Sequence, residues 1–246
     1  MECIVIASGK GGTGKTTVTA GVGAALAARG LTCLVIDADV GVRSLDLTLG
    51  MYDNALFDFT DVAENRAGLS DAVAEHPERP GLFLLAAPLS PQGIAPDALR
   101  RVTDAAMHAG TFDFVLIDAP AGLGTEFRRA AYAADRAVVV ATPDIISLRS
   151  ADRTVALLEE IGFDQYKLIV NRVRPKMISR NNTPNIDDAM DMAGLPLLGI
   201  VPEDENVLIS GASGQLLPPH ALAARAFSNI AARLDAQEVP LLKLRG

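Results

Sequence analysis

The chain is poor in the residues that build metal centres and disulfide frameworks. It has only two cysteines and three histidines among 246 residues. Cys3 and Cys33 both fall in predicted buried strands, which favours inert packing thiols over a disulfide or a metal site. His76, His108 and His220 are scattered without ligand spacing, so we expect each to be a surface or loop residue. A metal site built on cysteine or histidine is therefore not expected.

Long hydrophobic runs and an excess of positive charge are also missing. No apolar run approaches the roughly 18 residues of a membrane span. The N-terminus enters a predicted strand at once, without the charged and apolar segments of a signal peptide, so we expect a protein of cytoplasmic type. The formal net charge of −8 repels nucleic acid and anionic lipid, so any contact with either must be local.

Length and composition predict one domain. With 49% hydrophobic residues, the chain can bury one substantial core, and α/β domains of this size commonly stay undivided. No repeat, low-complexity linker or break in composition marks a second domain. We expect a single domain over residues 1–237, followed by a short tail over residues 238–246.

Short apolar runs alternate with helical stretches along the whole chain. The predicted strands are 3–7, 32–37, 82–86, 112–118, 137–142, 167–171 and 197–201. The predicted helices are 18–29, 97–109, 126–133, 151–161, 187–192 and 221–236. Continuous apolar strands of this kind are typical of a doubly wound, mostly parallel α/β sheet with helices on both faces. Ligands bind such sheets at the carboxyl ends of the strands.

A glycine-rich loop lies between the first predicted strand and the first predicted helix. Its spacing of two glycines, a lysine and a threonine lets backbone N–H groups and the positive end of the helix hold phosphate oxygens. Lys15 would reach the β- and γ-phosphates, and Thr16 would ligate Mg²⁺. The candidate phosphate-binding residues are Gly9, Lys10, Gly11, Gly12, Thr13, Gly14, Lys15, Thr16 and Thr17.

The same loop also contains the dinucleotide fingerprint, with glycines at positions 9, 11 and 14 and an acid, Asp37, at the end of the next strand. A pyrophosphate without a metal is satisfied by amides and the helix dipole alone, and needs no lysine–threonine pair. Lys15 and Thr16 therefore favour a nucleoside triphosphate. The additional Lys10 sits too early in the loop to duplicate Lys15, and its charge is expected to point out toward a partner subunit.

Three carboxylates stand at predicted strand ends. Asp37 and Asp39 are expected to project to the same side, where they could organise Mg²⁺ through water and orient an attacking water. Asp118 follows apolar residues at the tip of its strand, where it can take the second shell of Mg²⁺. Gly122 and Gly124 would let the next loop re-form around a γ-phosphate.

Polar residues also follow the last two predicted strands. Asn171 and Arg172 end one strand, and Pro202, Glu203 and Asp204 end the other. Because both ends lie at the ligand-binding edge of the sheet, these five residues are candidates for nucleotide contacts.

The doubled-lysine loop, the Asp37/Asp39 strand and the segment 118–122 resemble the deviant-Walker ATPases of the MinD/ParA group. Segments 41–47, 171–173 and 197–204 narrow the resemblance toward the MinD branch, the septum-site-determining ATPases, and the likeness spans residues 2 to about 235. It implies an enzyme that binds Mg·ATP, forms an ATP-dependent homodimer and hydrolyses ATP as a spatial switch. It also implies a protein effector of the MinE or MinC type.

The resemblance assigns roles to four residues. Lys10 would cross the dimer interface to the other subunit's ATP, Asp39 would position water, and Asp118 would head the second switch. Asn171 would read the adenine, although a capping side chain at a strand end is an alternative.

Two positions depart from the MinD pattern. Ser44 stands where asparagine is typical, and Ser150 stands where some members have an acidic residue, so the identity of the activator stays open.

The C-terminal membrane-targeting helix is also reduced. The tail from Val239 offers four large apolar residues and the cations Lys243 and Arg245, and it is either a short membrane contact or a disordered terminus.

Two other functions are weighed against this one. A ParA-type DNA-segregation ATPase would need a basic stripe, but only Arg172, Arg174, Lys176 and Arg180 cluster. An amide-forming synthetase of the cobyrinate or dethiobiotin type would need a substrate pocket that no sequence pattern indicates. Both rank below the switch, and contact with nucleic acid is not expected.

Overall fold

The computed structural model describes residues 1–52, 54 and 56–244 and contains one eight-stranded sheet. The strands are β1 (Glu2–Ala7), β2 (Cys33–Asp37), β3 (Ala74–Glu75), β4 (Leu82–Leu85), β5 (Phe114–Asp118), β6 (Arg136–Ala141), β7 (Tyr166–Val173) and β8 (Leu197–Pro202). Their order is β3-β4-β2-β5-β1-β6-β7-β8. All pairs are parallel except β3 with β4. All seven predicted strands are present, and the short edge strand β3 is additional.

Helices cover both faces of the sheet. They are α1 (Lys15–Ala27), α2 (Ser44–Leu49), α3 (Phe59–Ala63), α4 (Leu69–Ala72), α5 (Ala98–Ala109), α6 (Thr125–Tyr132), α7 (Ile145–Glu160), α8 (Pro175–Ser179), α9 (Ile186–Ala193), α10 (Glu205–Ser213) and α11 (Leu222–Leu234). Alternate residues of β1 enter opposite cores: Val5 packs with α5, α6 and α7, whereas Ile4 and Ile6 pack with α1 and α11. The predicted doubly wound fold is confirmed.

Helix boundaries differ from the sequence-based prediction at two functional positions. Helix α1 begins at Lys15 instead of residue 18, directly after Gly14 in the left-handed region. Helix α7 begins at Ile145 instead of residue 151, because the Asp144 carboxylate accepts the Ser147 N–H at 2.9 Å and caps the helix. Helices α2, α3, α4 and α8 were not predicted, since segments of four to six residues are too short to show a helical period. The nine-residue helix α10 was missed as well.

The cysteines are buried as predicted. Cys3 and Cys33 are free thiols, and burial raises the pKa of both. His76 lies in a loop, as expected, and its side chain is buried. Its Nδ1 accepts the Glu78 N–H at 3.1 Å, so its Nε2 donates to the Leu49 carbonyl, also at 3.1 Å. Burial lowers the pKa of His76, which keeps the ring neutral.

The tail lies against the body of the protein. The Arg233 guanidinium donates to the Val239 carbonyl, and the Asn229 amide donates to the Pro240 carbonyl at 3.3 Å. Leu242 and Leu244 are half-buried against the two cores. Arg245, which we expect to meet lipid, lies outside the described residues. Among the helices that the structure describes, none has the length and apolar character needed to cross a bilayer.

Helix α1 lies very close to the sheet at Gly23. A Cβ atom on Gly23 would lie 2.7 Å from Val35 Cγ1 and 3.2 Å from Leu82 Cδ1, both of them buried side chains of neighbouring strands. Only glycine lets α1 approach β2 and β4 this closely.

We predict that Gly23→Val lowers the free energy of unfolding by about 1–3 kcal/mol, because the added methyl groups overpack the space between α1 and the sheet. Gly211→Ala in α10 is the matched control, since a Cβ there meets nothing within 4 Å. It should be neutral or stabilise by up to about 1 kcal/mol through helix propensity. Urea denaturation measures both. Equal stability of Gly23→Val and the wild type would contradict the close packing.

Candidate functional site

The glycine-rich loop forms an open anion cradle between β1 and α1. Gly12 and Gly14 have φ angles of +79° and +92°, which L side chains rarely adopt. Gly14 precedes α1 without a side-chain cap, and the first turn of α1 carries no acidic residue. The first N–H groups of the helix are therefore left for a ligand, and the helix dipole favours a negative one.

The loop also approaches helix α7 closely. A Cβ on Gly9 would lie 2.4 Å from Ser150 Oγ and 2.7 Å from the Ser150 carbonyl oxygen. No side chain fits between the two segments, so glycine at position 9 is a packing requirement. The structure thereby places Ser150, one of the two departures from the family pattern, directly behind the phosphate loop.

Two unpartnered polar groups point to a polyphosphate in this cradle. Lys15 is 8% exposed and, within the part of the chain that the structure describes, makes no ion pair. The buried Thr13 Oγ1 has no hydrogen-bond partner there either. A buried ammonium without a counter-ion is costly, and phosphate oxygens would supply both missing partners. The residues present therefore fit the phosphates of a nucleoside triphosphate.

Asp118 joins the end of β5 to the first turns of α1. Thr16 Oγ1 donates to Asp118 Oδ2 at 2.6 Å, and Thr19 Oγ1 donates to Asp118 Oδ1 at 3.2 Å. Asp118 is fully buried, and burial raises its pKa to about 7; the hydrogen bond from Thr16 opposes this shift, and nearby Asp37 adds to it. Because the Thr16 proton points to Asp118, the lone pairs of its oxygen are free to ligate Mg²⁺.

Asp37 and Asp39 prove to have different surroundings. Asp37 pairs with Asp118 in the β2–β5 register, and its two carboxylate oxygens accept the Asp39 N–H at 2.8 Å and the Leu45 N–H at 3.0 Å. Burial raises the pKa of Asp37 to about 6, against these two hydrogen bonds. Asp37 therefore holds the loop that carries Asp39. Asp39 itself is half-buried, and burial raises its pKa above the usual value, although the charge of Lys15 partly opposes this shift.

The loop after β2 reaches back to the candidate metal residue. Ser44 begins α2, and its hydroxyl lies 3.4 Å from the Thr16 hydroxyl. Arg43 adopts a left-handed backbone with φ of +49° and pairs with Asp46 at 3.0 Å. Within the described residues, no group of three or more carboxylate, histidine or cysteine side chains could hold a metal. Mg²⁺ would accordingly rely on Thr16, phosphate oxygens and water.

The Lys10 side chain reaches Asp144, which follows the carboxyl end of β6. Its ammonium lies 3.4 Å from Asp144 Oδ1, and both side chains are about two-fifths exposed, at 41% and 42%. Burial alone would raise the pKa of Asp144, but hydrogen bonds from Thr142 and Ser147 and the charge of Lys10 hold it below its usual value. Lys10 is thus a partly exposed cation at the mouth of the phosphate site.

The carboxyl ends of β7 and β8 meet beside the loop. The buried Asn171 donates from Nδ2 to the Thr13 carbonyl at 2.7 Å, while Arg172 is exposed with φ of +56°. Arg172 and Glu203 line a cleft of about 360 Å³ that also contains Lys10. Of the five predicted residues on these two strand ends, Arg172 and Glu203 therefore line the cleft, and Asn171 contacts the loop itself.

The other two of those five residues are tied into the fold. Pro202 is the last, buried residue of β8. Asp204 accepts the Asn206 N–H at 2.9 Å and the Ala223 N–H at 3.0 Å, so it caps α10 and anchors the start of α11. These contacts position the edge of the cleft, and a nucleotide contact by either residue stays a prediction.

Two site residues escaped the sequence-based prediction. Asp144 follows the carboxyl end of β6, and the rule that ligands bind at strand ends could have found it. Thr19 lies one helical turn after Thr16 and faces the same carboxylate, which a helical projection from the loop would have indicated.

Comparison with known proteins agrees with this geometry. The family model described as the CobQ/CobB/MinD/ParA nucleotide binding domain matches residues 4–217. The putative septum site-determining protein MinD of Guillardia theta is 39% identical over 98% of this chain and 91% of its own length.

Two solved structures have closely similar folds. MinD in the MinC:MinD cell division protein complex of Aquifex aeolicus has a TM-score of 0.91 and 35% identity, with 100% of both chains covered. MinD of Pyrococcus horikoshii in complex with Mg-ADP has a TM-score of 0.85 and 30% identity, covering 95% of this chain and 96% of that one. With this likeness over the full length and a phosphate site of matching geometry, the chain belongs to the MinD family of nucleotide-binding ATPases.

Proposed function

We propose that this ATPase acts as a spatial switch in division-site placement, and that bound Mg·ATP drives two copies together face to face. The observation that carries the proposal is the position of Lys10. It lies at the mouth of the phosphate site, 3.4 Å from Asp144 and 41% exposed, whereas Lys15 fills the interior. A second copy of the site can therefore receive Lys10.

The exchange of partners explains how ATP would control assembly. Asp144 offers Lys10 a single carboxylate that is already shared with Thr142 and Ser147. The terminal phosphate of a partner's ATP carries more negative charge and more free acceptor oxygens, so it competes well for the ammonium. ADP lacks that phosphate, and Lys10 then keeps its contact with Asp144.

The carboxylates Asp37, Asp39 and Asp118 would have different roles in hydrolysis. The half-buried Asp39 positions the attacking water, and Asp37 fixes the backbone on which Asp39 stands. Asp118 holds Thr16, which would ligate Mg²⁺, and the bound cation would supply positive charge beside the phosphates. Loop rearrangement after Asp118 would report the loss of the γ-phosphate.

The base would lie at the ends of β7 and β8. Arg172 and Glu203 line the cleft beside the loop, and Asn171 contacts the loop backbone at Thr13. Contacts of Pro202 and Asp204 with the nucleotide are part of the same proposal. Asn171 can read adenine while it keeps its hydrogen bond to the Thr13 carbonyl, because its amide has a second N–H and an oxygen for that purpose.

A MinC-type partner is supported by the MinC:MinD complex of Aquifex aeolicus. A MinE-type activator is part of the same proposal. Ser44 and Ser150 are the positions at which this protein differs from the family pattern, so the activator would bind it differently there. The P-loop ATPase domain over 1–237 carries these functions, and the segment 238–246 carries membrane contact. Since Leu242 and Leu244 are half-buried against the body, the tail must come off before it inserts.

Our first prediction here concerns Lys10. Lys10→Ala should abolish the conversion of monomer to dimer by ATP, because it removes the cation that crosses the interface. Nucleotide binding should survive, since Lys15 and the loop amides are untouched. Lys167→Ala, at the opposite edge of the sheet, is the matched control. Light scattering with ATP and with ADP measures the shift, and an ATP-dependent dimer of Lys10→Ala would refute the cross-interface role.

Asp39→Ala should slow ATP hydrolysis by about 10²-fold or more, because the residue that orients water is lost while Thr16 and Asp118 stay in place. The ATP-bound dimer should persist. Asp71→Ala, on an exposed position of α4, controls for the loss of one negative charge. Phosphate release with a stimulating partner is the measurement, and unchanged turnover would remove Asp39 from the mechanism.

A chain ending at Gln237 should form the ATP-bound dimer and hydrolyse ATP, yet stay in the supernatant with anionic liposomes. One tail holds weakly, whereas two tails on a dimer raise avidity by about 10² or more. Full-length protein should therefore pellet with ATP and not with ADP. Equal pelleting of both chains would contradict the tail proposal, and pelleting with plasmid DNA instead would favour the DNA-segregation function.

A further inference from the structure

A second cleft, of about 390 Å³, runs along helix α1 on the side where α11 packs. It begins at Thr17, next to the phosphate loop, and extends to Arg29, just beyond the end of α1. The helical part of this stretch, eleven residues from Thr17 to Ala27, corresponds to about 16 Å, so the cleft is elongated. Apart from Thr17, it shares no residue with the nucleotide site proposed above.

Aliphatic side chains from α1 and from the segment around α10 line this cleft, and polar side chains lie among them: Thr48, Ser210, Gln215, Arg225 and Ser228. Helix α1 contributes small residues that leave the space open, and Phe227 of α11 closes the floor against Gly21, where a Cβ would lie only 2.3 Å from the ring. The facing wall comes from α10 and the segment after it. The lining side chains used here are Ala20, Ala24 and Ala28 on one side and Val207, Leu216 and Leu217 on the other.

Two arginines line the end of the cleft that lies farthest from the phosphate loop. Arg29 follows the end of α1. Gly81 lies against this end of the helix, because a Cβ on Gly81 would be 3.0 Å from the Leu31 carbonyl and 3.9 Å from Ala27 Cβ. Arg79 precedes Gly81 by two residues and also lines the cleft. Arg79 and Arg29 therefore share one end of the cleft.

Both arginines have unused hydrogen-bonding capacity. The Nε atom of each is buried and has no acceptor within the described residues. Arg29 contacts Asp235 through a terminal nitrogen at 3.1 Å, and Arg79 makes no ion pair in the part of the chain that the structure describes. A buried donor without an acceptor costs about 1–3 kcal/mol, so the site favours an anionic group that supplies one.

We propose that this cleft binds a free single-chain anionic amphiphile, in the manner of a fatty acid. The acid group would lie at Arg29 and Arg79, where guanidinium groups bind carboxylates in a bidentate way. The aliphatic chain would lie along Ala24 toward Val207. The cleft volume lies near the lower end of known ligand sites, about 300–1,000 Å³, which suits one chain better than a two-chain lipid.

The test is calorimetric titration of the full-length protein with dodecanoate below its micelle concentration. The wild type should bind one molecule. Arg79→Gln should weaken binding by about tenfold or more, since it removes the charged donors. Ala24→Leu should weaken it by filling the cleft. Arg153→Gln, an exposed arginine of α7, should bind dodecanoate like the wild type.

Further titrations distinguish binding in the cleft from general attraction of anions or of aliphatic chains. ATP binding by each variant reports that it is folded and tests the nucleotide site independently of the cleft. Inorganic phosphate and the cationic dodecyltrimethylammonium should bind much more weakly than dodecanoate. The proposal is overturned if dodecanoate does not bind the wild type, if it binds Arg79→Gln and Ala24→Leu equally well, or if the cationic amphiphile binds as tightly. It is also overturned if only anionic vesicles bind.

Discussion

The site depends on two buried carboxylates at the tips of neighbouring strands. Asp118 and Asp37 are directly paired in the β2–β5 register, and each is at most 1% exposed. Burying two like charges side by side is unfavourable unless each receives strong hydrogen bonds. Asp118 receives them from the hydroxyls of α1, and Asp37 from the backbone of the following loop. Each carboxylate thereby ties a different segment to the same sheet. Asp118 holds α1, and Asp37 holds the loop after β2 and the start of α2.

The neighbouring strands β2 and β5 thus bring two acidic side chains together in the site. Burial raises the pKa of both carboxyls, to about 7 for Asp118 and about 6 for Asp37, so a cation beside them would favour their charged forms. Lys15 is a buried cation whose charge lowers the pKa of Asp118. Binding of Mg·ATP would add a divalent cation next to the carboxylates and phosphates next to the lysine. The charges of the site are thus complementary to the nucleotide as a whole, and not to the phosphates alone.

The sequence predicted the parts of the site that are local in the chain. The loop spacing indicated the roles of Lys15 and Thr16, and the apolar strand before Asp118 placed it at a strand tip. The sequence could not show that Lys10 meets Asp144, because 134 residues separate them and an aspartate before a helix reads as an ordinary cap. The burial of His76 was not predicted for the same reason, since its ring meets the carbonyl of Leu49, which belongs to a helix too short to predict. The α1 cleft likewise forms only when distant segments pack together.

The contact between Gly9 and Ser150 has a mechanical consequence. No methyl group fits between the phosphate loop and α7 at this point, so the two backbones have no slack toward one another. The outer face of α7 is solvent-exposed, whereas its inner face touches the loop. A load on the outer face of α7 would therefore also displace the backbone of the phosphate loop. A protein docked there would not need to contact a nucleotide directly in order to change how the loop holds it.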